Sequence, residues 1–219
     1  MYLFFLRLRK IFPKSAHFML GFSLGSFLLR EYLSKYPEGL QGAVIMGTGC
    51  QPKLVLSGMM GIVKTQIRKA GFDNTTDLVK KLSFGIYNDE FKPNRTEADW
   101  LCGDPEQLDS YLSDPLCKST ISAGLFWQML DAMKRTGSPD AYENWNIDMP
   151  ILLISGKDDP VGGFGEGIRK LREQMKKAAF TQLKMYLIPD ARHDVLHEEN
   201  CGAASVKTII ADWIVHNQT

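Results

Sequence analysis

A chain of 219 residues, with 44% hydrophobic and 23% charged side chains, has the composition of an ordinary globular domain with a sizeable core. Lysine and arginine number 26 against 25 aspartate and glutamate residues, so the near-neutral balance gives no electrostatic support for nucleic acid as a partner. The 4 cysteines are scattered, without a C-x-x-C pair or a metal-ligand spacing, which favours reduced structural thiols and a cytoplasmic location.

The first residues predict an amphipathic helix over positions 2–12. The apolar run at the start is interrupted by Arg7, Arg9 and Lys10, so it is too short to span a bilayer. The positive charges follow the apolar run, which is the reverse of a secretory signal peptide. Pro13 ends the helix because proline has no N–H and restricts the residue before it. We therefore expect no transmembrane segment here, but a helix packed against the rest of the chain.

Residues 21–25, Gly-Phe-Ser-Leu-Gly, are predicted to form a nucleophile elbow. An apolar strand over 16–20 precedes them and a helical pattern over 26–36 follows, which is the context that a G-x-S-x-G elbow requires. Both glycines are expected to avoid clashes with the neighbouring strand or helix. The helix N-terminus behind Ser23 would supply N–H groups and a positive dipole end for an oxyanion. The alternative is an ordinary strand-to-helix turn with a capping serine.

Further apolar runs predict three more strands, at Gly42–Met46, Ile151–Ser155 and Lys184–Ile188. Strands that alternate with helical patterns indicate a parallel sheet with helices on its faces. Two apolar stripes at helical spacing predict the last helices. The first stripe comprises Phe164, Ile168, Leu171 and Met175, and the second comprises Val206, Ile209, Ile210, Trp213 and Ile214.

Between the second and third strands lies a long insertion without strand-like runs. Helical patterns occupy 54–69, 76–82 and 122–134. An insertion of about a hundred residues is far longer than a crossover requires, so it predicts a lid or an inserted subdomain. The chain is therefore divided into a core, residues 1–51 and 150–219, and a helical cap, residues 52–149.

The large apolar side chains of the cap allow two interpretations. Flexible methionines and aromatic rings suit an acyl pocket, and they equally suit the cap's own core. They are Met59, Met60, Phe126, Trp127, Met129 and Met133.

A serine nucleophile needs a base, usually a histidine held by a carboxylate. His193 lies in the loop after the last predicted strand, at the same sheet edge as Ser23, where chemistry collects in open α/β sheets. His197, four residues on, is the rival candidate. We expect His17, within a predicted strand, to be packed, and His216, at the end of the last helix, to be solvated.

The carboxylate is expected after the next-to-last strand, where Asp158 and Asp159 both lie. Asp159 precedes Pro160, which favours an extended backbone and directs the carboxylate toward the histidine loop. The order Ser23, Asp159, His193 is the chain order of the α/β-hydrolase triad. The alternative role for Asp159 is that of a loop or capping aspartate.

With these motifs in place, the chain resembles the serine aminopeptidase S33, or "hydrolase 4", group of α/β-hydrolases, which includes monoacylglycerol lipases and bacterial lysophospholipases. The resemblance runs from about residue 1 to the end. The matching segments are 21–26, Trp100-Leu101, 114–117, 155–162 and 193–198.

The resemblance implies a role for each triad residue. Ser23 would be the nucleophile, His193 the base and Asp159 the carboxylate that orients it, with no metal or cofactor required. The family usually has histidine where Phe22 stands. This departure concerns the fine positioning of the site rather than the triad itself.

Compared with the full fold of that family, the front of the sheet is missing. Several strands should precede the elbow strand, so on the order of a hundred residues are absent, through a truncated gene or a misplaced start. The expected fold is the C-terminal part of an α/β-hydrolase, with a parallel sheet and an inserted helical cap. The first strand should expose an apolar edge, which a homodimer could cover. An early oxyanion loop would also be absent, leaving the backbone N–H of Leu24.

Two functional hypotheses follow. In the first, the chain is a serine hydrolase that cleaves carboxylic esters, with acylglycerol or lysophospholipid as the substrate class that the resemblance implies. A peptide or lactone substrate stays open, because the family name also covers peptidases. In the second, it is a truncated, catalytically impaired fragment that acts, if at all, by binding or association through its sheet edge.

Overall fold

Four parallel strands form the centre of the molecule in the computed structural model, which describes residues 1–117, 120–198 and 205–218. They are β1 (Phe18–Phe22), β2 (Gly42–Met46), β3 (Ile151–Gly156) and β4 (Leu183–Ile188), and they lie side by side in that order. Leu20 pairs with Val44, and Val44 with Leu152, in parallel register. The predicted parallel sheet is confirmed, and its strands all end at one edge.

Helices cover both faces of the sheet and fill the insertion between β2 and β3. In the described residues they are α1 (Tyr2–Ile11), α2 (Leu24–Lys35), α3 (Lys53–Ala70), α4 (Asp77–Lys80), α5 (Ile86–Asn88), α6 (Pro105–Ser113), α7 (Ala123–Thr136), α8 (Glu166–Lys177) and α9 (Val206–His216). A π-helical turn, Lys81–Gly85, joins α4 to α5. None of these helices is long and apolar enough to cross a membrane.

The alternation of side chains along β2 and β3 produces two hydrophobic clusters. Ile45 and Leu153 point to one face, where α2 and α8 supply Leu29, Leu33 and Ile168. On the other face, Val44, Met46, Leu152 and Ile154 pack against the predicted stripe of α9, with Val206, Ile210 and Trp213 buried. Both central strands are therefore buried along their whole length, as in a parallel sheet covered on two sides.

Residues 52–149, for which we keep the name cap, have a cluster of their own between α3 and α7. Leu56, Val63, Phe126 and Leu130 are buried in it. The remaining large apolar residues singled out in the sequence pack partly buried against it: Met59, Met60, Trp127, Met129 and Met133. These side chains therefore form the core of the cap.

Several predicted boundaries differ from the structure. Strand β1 runs from Phe18 rather than Ala16 and continues through Phe22, because Gly21 and Phe22 still pair with β2. His17 is consequently in the loop before the strand. Phe164, predicted on the α8 stripe, precedes that helix with a φ of 56° and is exposed, because the positive-φ residues Gly163 and Gly165 interrupt the backbone on either side of it.

Helix α6 was not predicted from the sequence. It begins with Pro105 at its first position, where proline is well tolerated. The Asp104 carboxylate caps it by accepting hydrogen bonds from the backbone N–H groups of Glu106 and Gln107. This Asp-Pro-Glu pattern is itself a helix-start signal in the sequence.

Strand β1 forms one edge of the sheet, and β4 forms the other. In the described residues β1 pairs with β2 alone, and Leu20 is 44% exposed. Helix α1 buries only Phe5, against Tyr32 and His17, while Leu3 and Phe4 face solvent. The expected apolar edge is therefore present, and α1 packs on the rest of the chain through the buried Phe5 and through Tyr2, whose ring stacks on that of Tyr36 at 3.9 Å.

Candidate active site

Ser23 lies on a sharp turn between β1 and α2. Its φ of 51° and ψ of −120° are unusual for a residue with a side chain and typically cost about 1–3 kcal/mol. The turn is held because the Ser23 N–H donates to the Met46 carbonyl at 3.0 Å and the Ser26 hydroxyl donates to the Ser23 carbonyl at 2.6 Å. The strained elbow expected at this position is therefore formed.

The two glycines of the elbow are not equivalent, which corrects the expectation that both avoid a clash. A Cβ at Gly21 would lie 2.4 Å from the Gly25 carbonyl oxygen and 2.9 Å from the Leu29 Cβ. A Cβ at Gly25 would meet no atom within 4 Å. The close approach of the strand to the helix therefore explains why position 21 requires a glycine, but it does not explain the glycine at position 25.

His193 contacts both of its predicted partners. Its Nε2 lies 2.8 Å from the Ser23 Oγ, and its Nδ1 lies 3.0 Å from the Asp159 Oδ1. The loop that carries the imidazole follows β4, the last strand of the sheet, and the imidazole is almost fully buried. The three residues are therefore joined in one hydrogen-bonded chain.

Asp159 follows β3 and is fully buried. Its Oδ1 also accepts a hydrogen bond from the Val161 N–H at 2.9 Å, and its Oδ2 accepts one from the Ser155 hydroxyl at 3.2 Å. These donors stabilise a buried carboxylate and fix its direction. The sequence does not predict the contact with Ser155, which is there the end of a strand and the first residue of the matching segment 155–162.

The approach of the histidine loop to β3 depends on Gly156. A Cβ at this position would lie 2.0 Å from the Arg192 carbonyl oxygen and 2.1 Å from that of Ala191. Because glycine leaves this space, the N–H of Asp158 donates to the Ala191 carbonyl at 2.9 Å. His193 is thereby brought within reach of the carboxylate after β3.

The rival candidates lie outside this chain of hydrogen bonds. The His197 Nδ1 lies 2.8 Å from the Asp194 Oδ2, in a half-exposed pair on the far side of the loop. The His17 Nε2 lies 3.1 Å from the Phe12 carbonyl oxygen, and His216 is exposed at the end of α9. Asp158 contributes its backbone to the loop contact described above.

Leu24 is the first residue of α2. Its N–H has no partner within the helix, because the first N–H groups of an α-helix point away from their own turn. The positive end of the helix dipole lies at the same place. Of the described residues, no group of three or more His, Cys, Asp or Glu side chains is arranged to hold a metal ion.

Aromatic side chains surround the imidazole. The rings of Phe22 and Trp100 lie 5.0 and 5.2 Å from the His193 ring, measured between centroids. Tyr87 in turn lies 5.5 Å from Trp100. Burial, with a smaller contribution from the Asp159 charge, raises the pKa of Tyr87 to about 12. In the sequence, Trp100 belongs to one of the segments that carry the family resemblance, and no local signal indicates that it reaches the histidine.

Comparison with known proteins gives both a family and structural relatives. Residues 1–200 match the family model described as serine aminopeptidase, S33. A search of curated proteins finds no match.

Solved structures of esterases and lipases are similar in fold. A thermostable carboxyl esterase from Bacillus coagulans superposes with a TM-score of 0.82 at 22% identity, covering 95% of this chain and 66% of its own. A monoacylglycerol lipase from Paleococcus ferrophilus has a TM-score of 0.65 at 22% identity, with 93% and 69% covered. Monoglyceride lipase from Saccharomyces cerevisiae has a TM-score of 0.64 at 16% identity, with 93% and 63% covered. The chain thus spans about two thirds of the length of these relatives, and the likeness establishes the α/β-hydrolase fold.

Proposed function

The chain belongs to the serine aminopeptidase S33 family of α/β-hydrolases, and from this we propose that it is a serine hydrolase that cleaves carboxylic esters. The observation that carries the proposal is the hydrogen-bonded chain from Ser23 through His193 to Asp159. A serine hydroxyl becomes a useful nucleophile when a base removes its proton, and a base within 2.8 Å has the required reach.

In the proposed mechanism, the Ser23 Oγ attacks the ester carbonyl carbon while the His193 Nε2 takes the hydroxyl proton. The carbonyl oxygen becomes an oxyanion beside the Leu24 N–H at the start of α2. The imidazolium then donates its proton to the departing alcohol, leaving an acyl group on Ser23. A water molecule, deprotonated by His193, attacks that acyl group, and the imidazolium returns the proton to the departing Ser23 Oγ as the carboxylic acid is released. Asp159 keeps Nδ1 protonated and stabilises the imidazolium throughout.

The substrate class that we propose is acylglycerol or lysophospholipid. The carboxyl esterase and monoglyceride lipase neighbours support an ester substrate over the amide that the family description, serine aminopeptidase, suggests. The aromatic rings around His193 support an apolar acyl group over a charged one. Acylglycerols and lysophospholipids both carry such an acyl group in ester linkage.

We also propose that core residues 1–51 and 150–219 carry the catalytic groups and that cap residues 52–149 cover them. A cytoplasmic location belongs to the same proposal. The free thiols of Cys50, Cys102 and Cys117 support it, and Cys201 lies outside the described residues.

A fluorophosphonate probe tests the nucleophile directly. We expect one label on the wild-type protein, none on Ser23→Ala, and undiminished labelling of the matched control Ser113→Ala, whose exposed hydroxyl lies on α6. Folding of each variant is checked by circular dichroism. Absence of labelling on folded wild-type protein would contradict the proposal and favour a fragment that acts only by association.

Substrate class is tested on the same preparation. We expect kcat/KM to be higher for a monoacylglycerol or a lysophosphatidylcholine than for an acetyl ester. We expect no release of p-nitroaniline from a peptide p-nitroanilide. Faster turnover of the anilide than of every ester would replace the ester proposal with a peptidase.

The uncovered edge of β1 supports a final part of the proposal, the association of two copies. An unpaired strand edge with exposed apolar side chains is a template for pairing with another chain. We expect light scattering to give the mass of a dimer, and Leu20→Lys to shift it toward the monomer. A monomer mass for the wild type at all concentrations would contradict this part alone.

A further inference from the structure

The ring of His193 is in contact with an aromatic side chain of the cap. Trp100 lies 5.2 Å from it between centroids, with the two planes tilted by 38°. Trp100 is itself buried and stacked on Phe84, whose ring lies 5.4 Å away at an angle of 11°. Rotation of the imidazole away from Ser23 would therefore require a buried and stacked indole to move.

The backbones on either side of this ring contact are also bonded to each other. The Asp194 N–H, directly after His193, donates to the carbonyl of Leu101, directly after Trp100, at 2.7 Å. The Glu198 Oε1 accepts from the Gly103 N–H at 2.7 Å and from the Arg192 N–H at 3.0 Å. Cap residues 99–103 and the loop that carries His193 thus form one hydrogen-bonded unit.

Arg192, directly before His193, connects the same two segments through its side chain. Its guanidinium Nη1 donates to the Asp99 carbonyl oxygen and, at 3.4 Å, to the Cys102 carbonyl oxygen. It also lies 4.4 Å from the centroid of the Phe91 ring. A planar guanidinium can stack on an aromatic ring while it donates in its own plane, and a lysine ammonium cannot do both in this way.

Trp100 is fixed from the cap side as well. Its backbone N–H donates to the buried Asn88 Oδ1 at 3.1 Å, and the Asn88 side-chain amide donates to the Thr96 carbonyl at 2.8 Å. The neighbouring Asp99 carboxylate accepts from the backbone N–H groups of Arg95 and Thr96, at 2.6 and 3.0 Å. The backbone that carries the indole is therefore fixed by a hydrogen-bonded turn of the cap, and the indole itself is held by its stacking on Phe84.

From these contacts we infer that Trp100 and Arg192 are positioning residues, through which cap residues 99–103 hold the His193 imidazole between Ser23 and Asp159. The inference rests on the proposed function, since it assigns the two residues a part in the same reaction. Trp100 acts through the orientation of the ring, and its electron-rich face favours the imidazolium that forms during proton transfer. Arg192 acts through the position of the loop.

The test of Trp100 compares Trp100→Ala and Trp100→Phe with the control Trp127→Ala, which removes a tryptophan from the cap core. We expect Trp100→Ala to lower kcat on the order of 10- to 100-fold, because a misplacement of about 1 Å can cost 10²-fold. KM should stay within about twofold, and Trp100→Phe should recover most of the loss, because it keeps an aromatic face. Trp127→Ala should lower the melting temperature and leave kcat unchanged.

A proton NMR signal gives a readout that does not depend on turnover. The Nδ1–H proton between His193 and Asp159 should give a far-downfield resonance in the wild type. It should broaden in Trp100→Ala, return in Trp100→Phe and persist in Trp127→Ala. A rise in KM with unchanged kcat and an unchanged resonance would show that Trp100 only lines the substrate pocket, and would overturn the inference.

Arg192 supplies a second measurement if Trp100→Ala fails to fold. We expect Arg192→Lys to lower kcat several-fold at unchanged KM and to broaden the same resonance. The control Arg95→Gln alters an exposed cap arginine that is paired with Asp109, and should change neither readout.

The outcomes separate the inference from the proposed function. A resonance that is sharp in the wild type and broad in Trp100→Ala supports the inference even if the wild type hydrolyses no ester, a result that would reject only the function. The inference would be overturned if the wild type is active and if kcat and the resonance are unchanged in both Trp100→Phe and Arg192→Lys. That conclusion also requires that Trp100→Ala or Trp100→Leu changes neither kcat nor the resonance.

Discussion

The two sides of the proposed active site differ in how they are supported. Asp159 follows β3, which is paired on both sides and buried along its whole length. Ser23 follows β1, which in the described residues is paired on one side and leaves Leu20 44% exposed. Both strands are apolar in sequence, so the difference comes from their neighbours and not from their composition. The carboxylate is held by the packing of the core, whereas the serine depends on its elbow and on α2. The base follows β4, an edge strand like β1, and is held by its contacts with Asp159 and with residues 99–103.

The comparison extends to the contacts of the functional groups. His193 is held by Asp159 and by the aromatic rings of Phe22 and Trp100. The backbone of Ser23 is held by Met46 on one side and Ser26 on the other. Substitutions on the side of the base should therefore have the larger consequences, and the predictions below test this from the largest expected effect to the smallest.

The largest effect is expected from Asp159→Asn, which removes the carboxylate on the well-supported side. The variant keeps the shape but favours the wrong tautomer of His193, so we expect kcat to fall by about 10³- to 10⁴-fold. Ester hydrolysis and the rate of fluorophosphonate labelling both measure this loss. The control Asp158→Asn alters the neighbouring aspartate, and its kcat should stay within about twofold of the wild-type value, because Asp158 bonds to the histidine loop through its backbone N–H. Equal losses in the two variants would contradict the assignment of Asp159.

A glycine substitution on each side sharpens the comparison. Gly156→Ala places a Cβ about 2 Å from two backbone carbonyl oxygens of the histidine loop, which cannot move without losing the contact with β3. We expect it to lower the free energy of unfolding by about 4 kcal/mol or more, the range of severe overpacking. Gly25→Ala, beside Ser23, meets no atom within 4 Å and should be neutral or slightly stabilising, because alanine is the better helix former. Urea denaturation measures both, and a destabilised Gly25→Ala would show that the helix side of the elbow is also tightly packed.

Truncation of one strand residue on each side gives a smaller difference. Ile45 in β2 is fully buried, and Ile45→Ala should cost about 2–4 kcal/mol of unfolding free energy through lost burial and a residual cavity. Leu20→Ala in β1 removes a side chain that is nearly half exposed, so it should cost less than about 1 kcal/mol. Thermal and urea unfolding of both variants at the same series of protein concentrations test the pair. The expected difference applies to the monomer, so a cost of Leu20→Ala that rises with protein concentration would support the proposed dimer. A similar cost at the two positions at the lowest protein concentration would contradict the difference between the strands.

Much of this architecture could be predicted from the sequence. Strand β2 is predicted to the residue, because a run buried on both faces is apolar throughout and is bounded by glycines. Pro160 singles out Asp159 from Asp158 by its effect on the preceding backbone, and the structure joins Asp159 to His193. The limits of β1 were misplaced because Gly21 and Phe22 pair through their backbones, which an apolar pattern does not record.

The remainder depends on contacts between distant parts of the chain. Trp100 reaches His193 because residues 99–103 bond to the loop that carries the histidine, and no spacing in the sequence indicates a pair separated by more than ninety positions. The role of Gly156 likewise depends on how closely the histidine loop approaches β3. Phe164 fits a helical stripe by its spacing alone, but the positive φ values of the residues around it prevent the helix from starting there.

The smallest effect concerns pH and the cap turn that supports the base. Burial alone would raise the pKa of Asp99, but hydrogen bonds from the Thr96 hydroxyl and from the backbone of Arg95 and Thr96, with the nearby Arg192 charge, hold that pKa below its ordinary value of 3.8. Because the folded pKa is lowered, the ionised carboxylate contributes stability above its unfolded pKa and loses this contribution as the pH falls through the folded value. Asp99→Asn should therefore cost about 1 kcal/mol of unfolding free energy at pH 7, typical of a lost hydrogen bond. The difference in unfolding free energy between Asp99→Asn and the wild type should shrink steadily below a pH of about 4. Urea denaturation of both proteins between neutral pH and pH 3 measures it, with Asp109→Asn as an exposed control in the same cap. A difference that stays constant across this range would show that the Asp99 charge does not support the turn that carries Trp100.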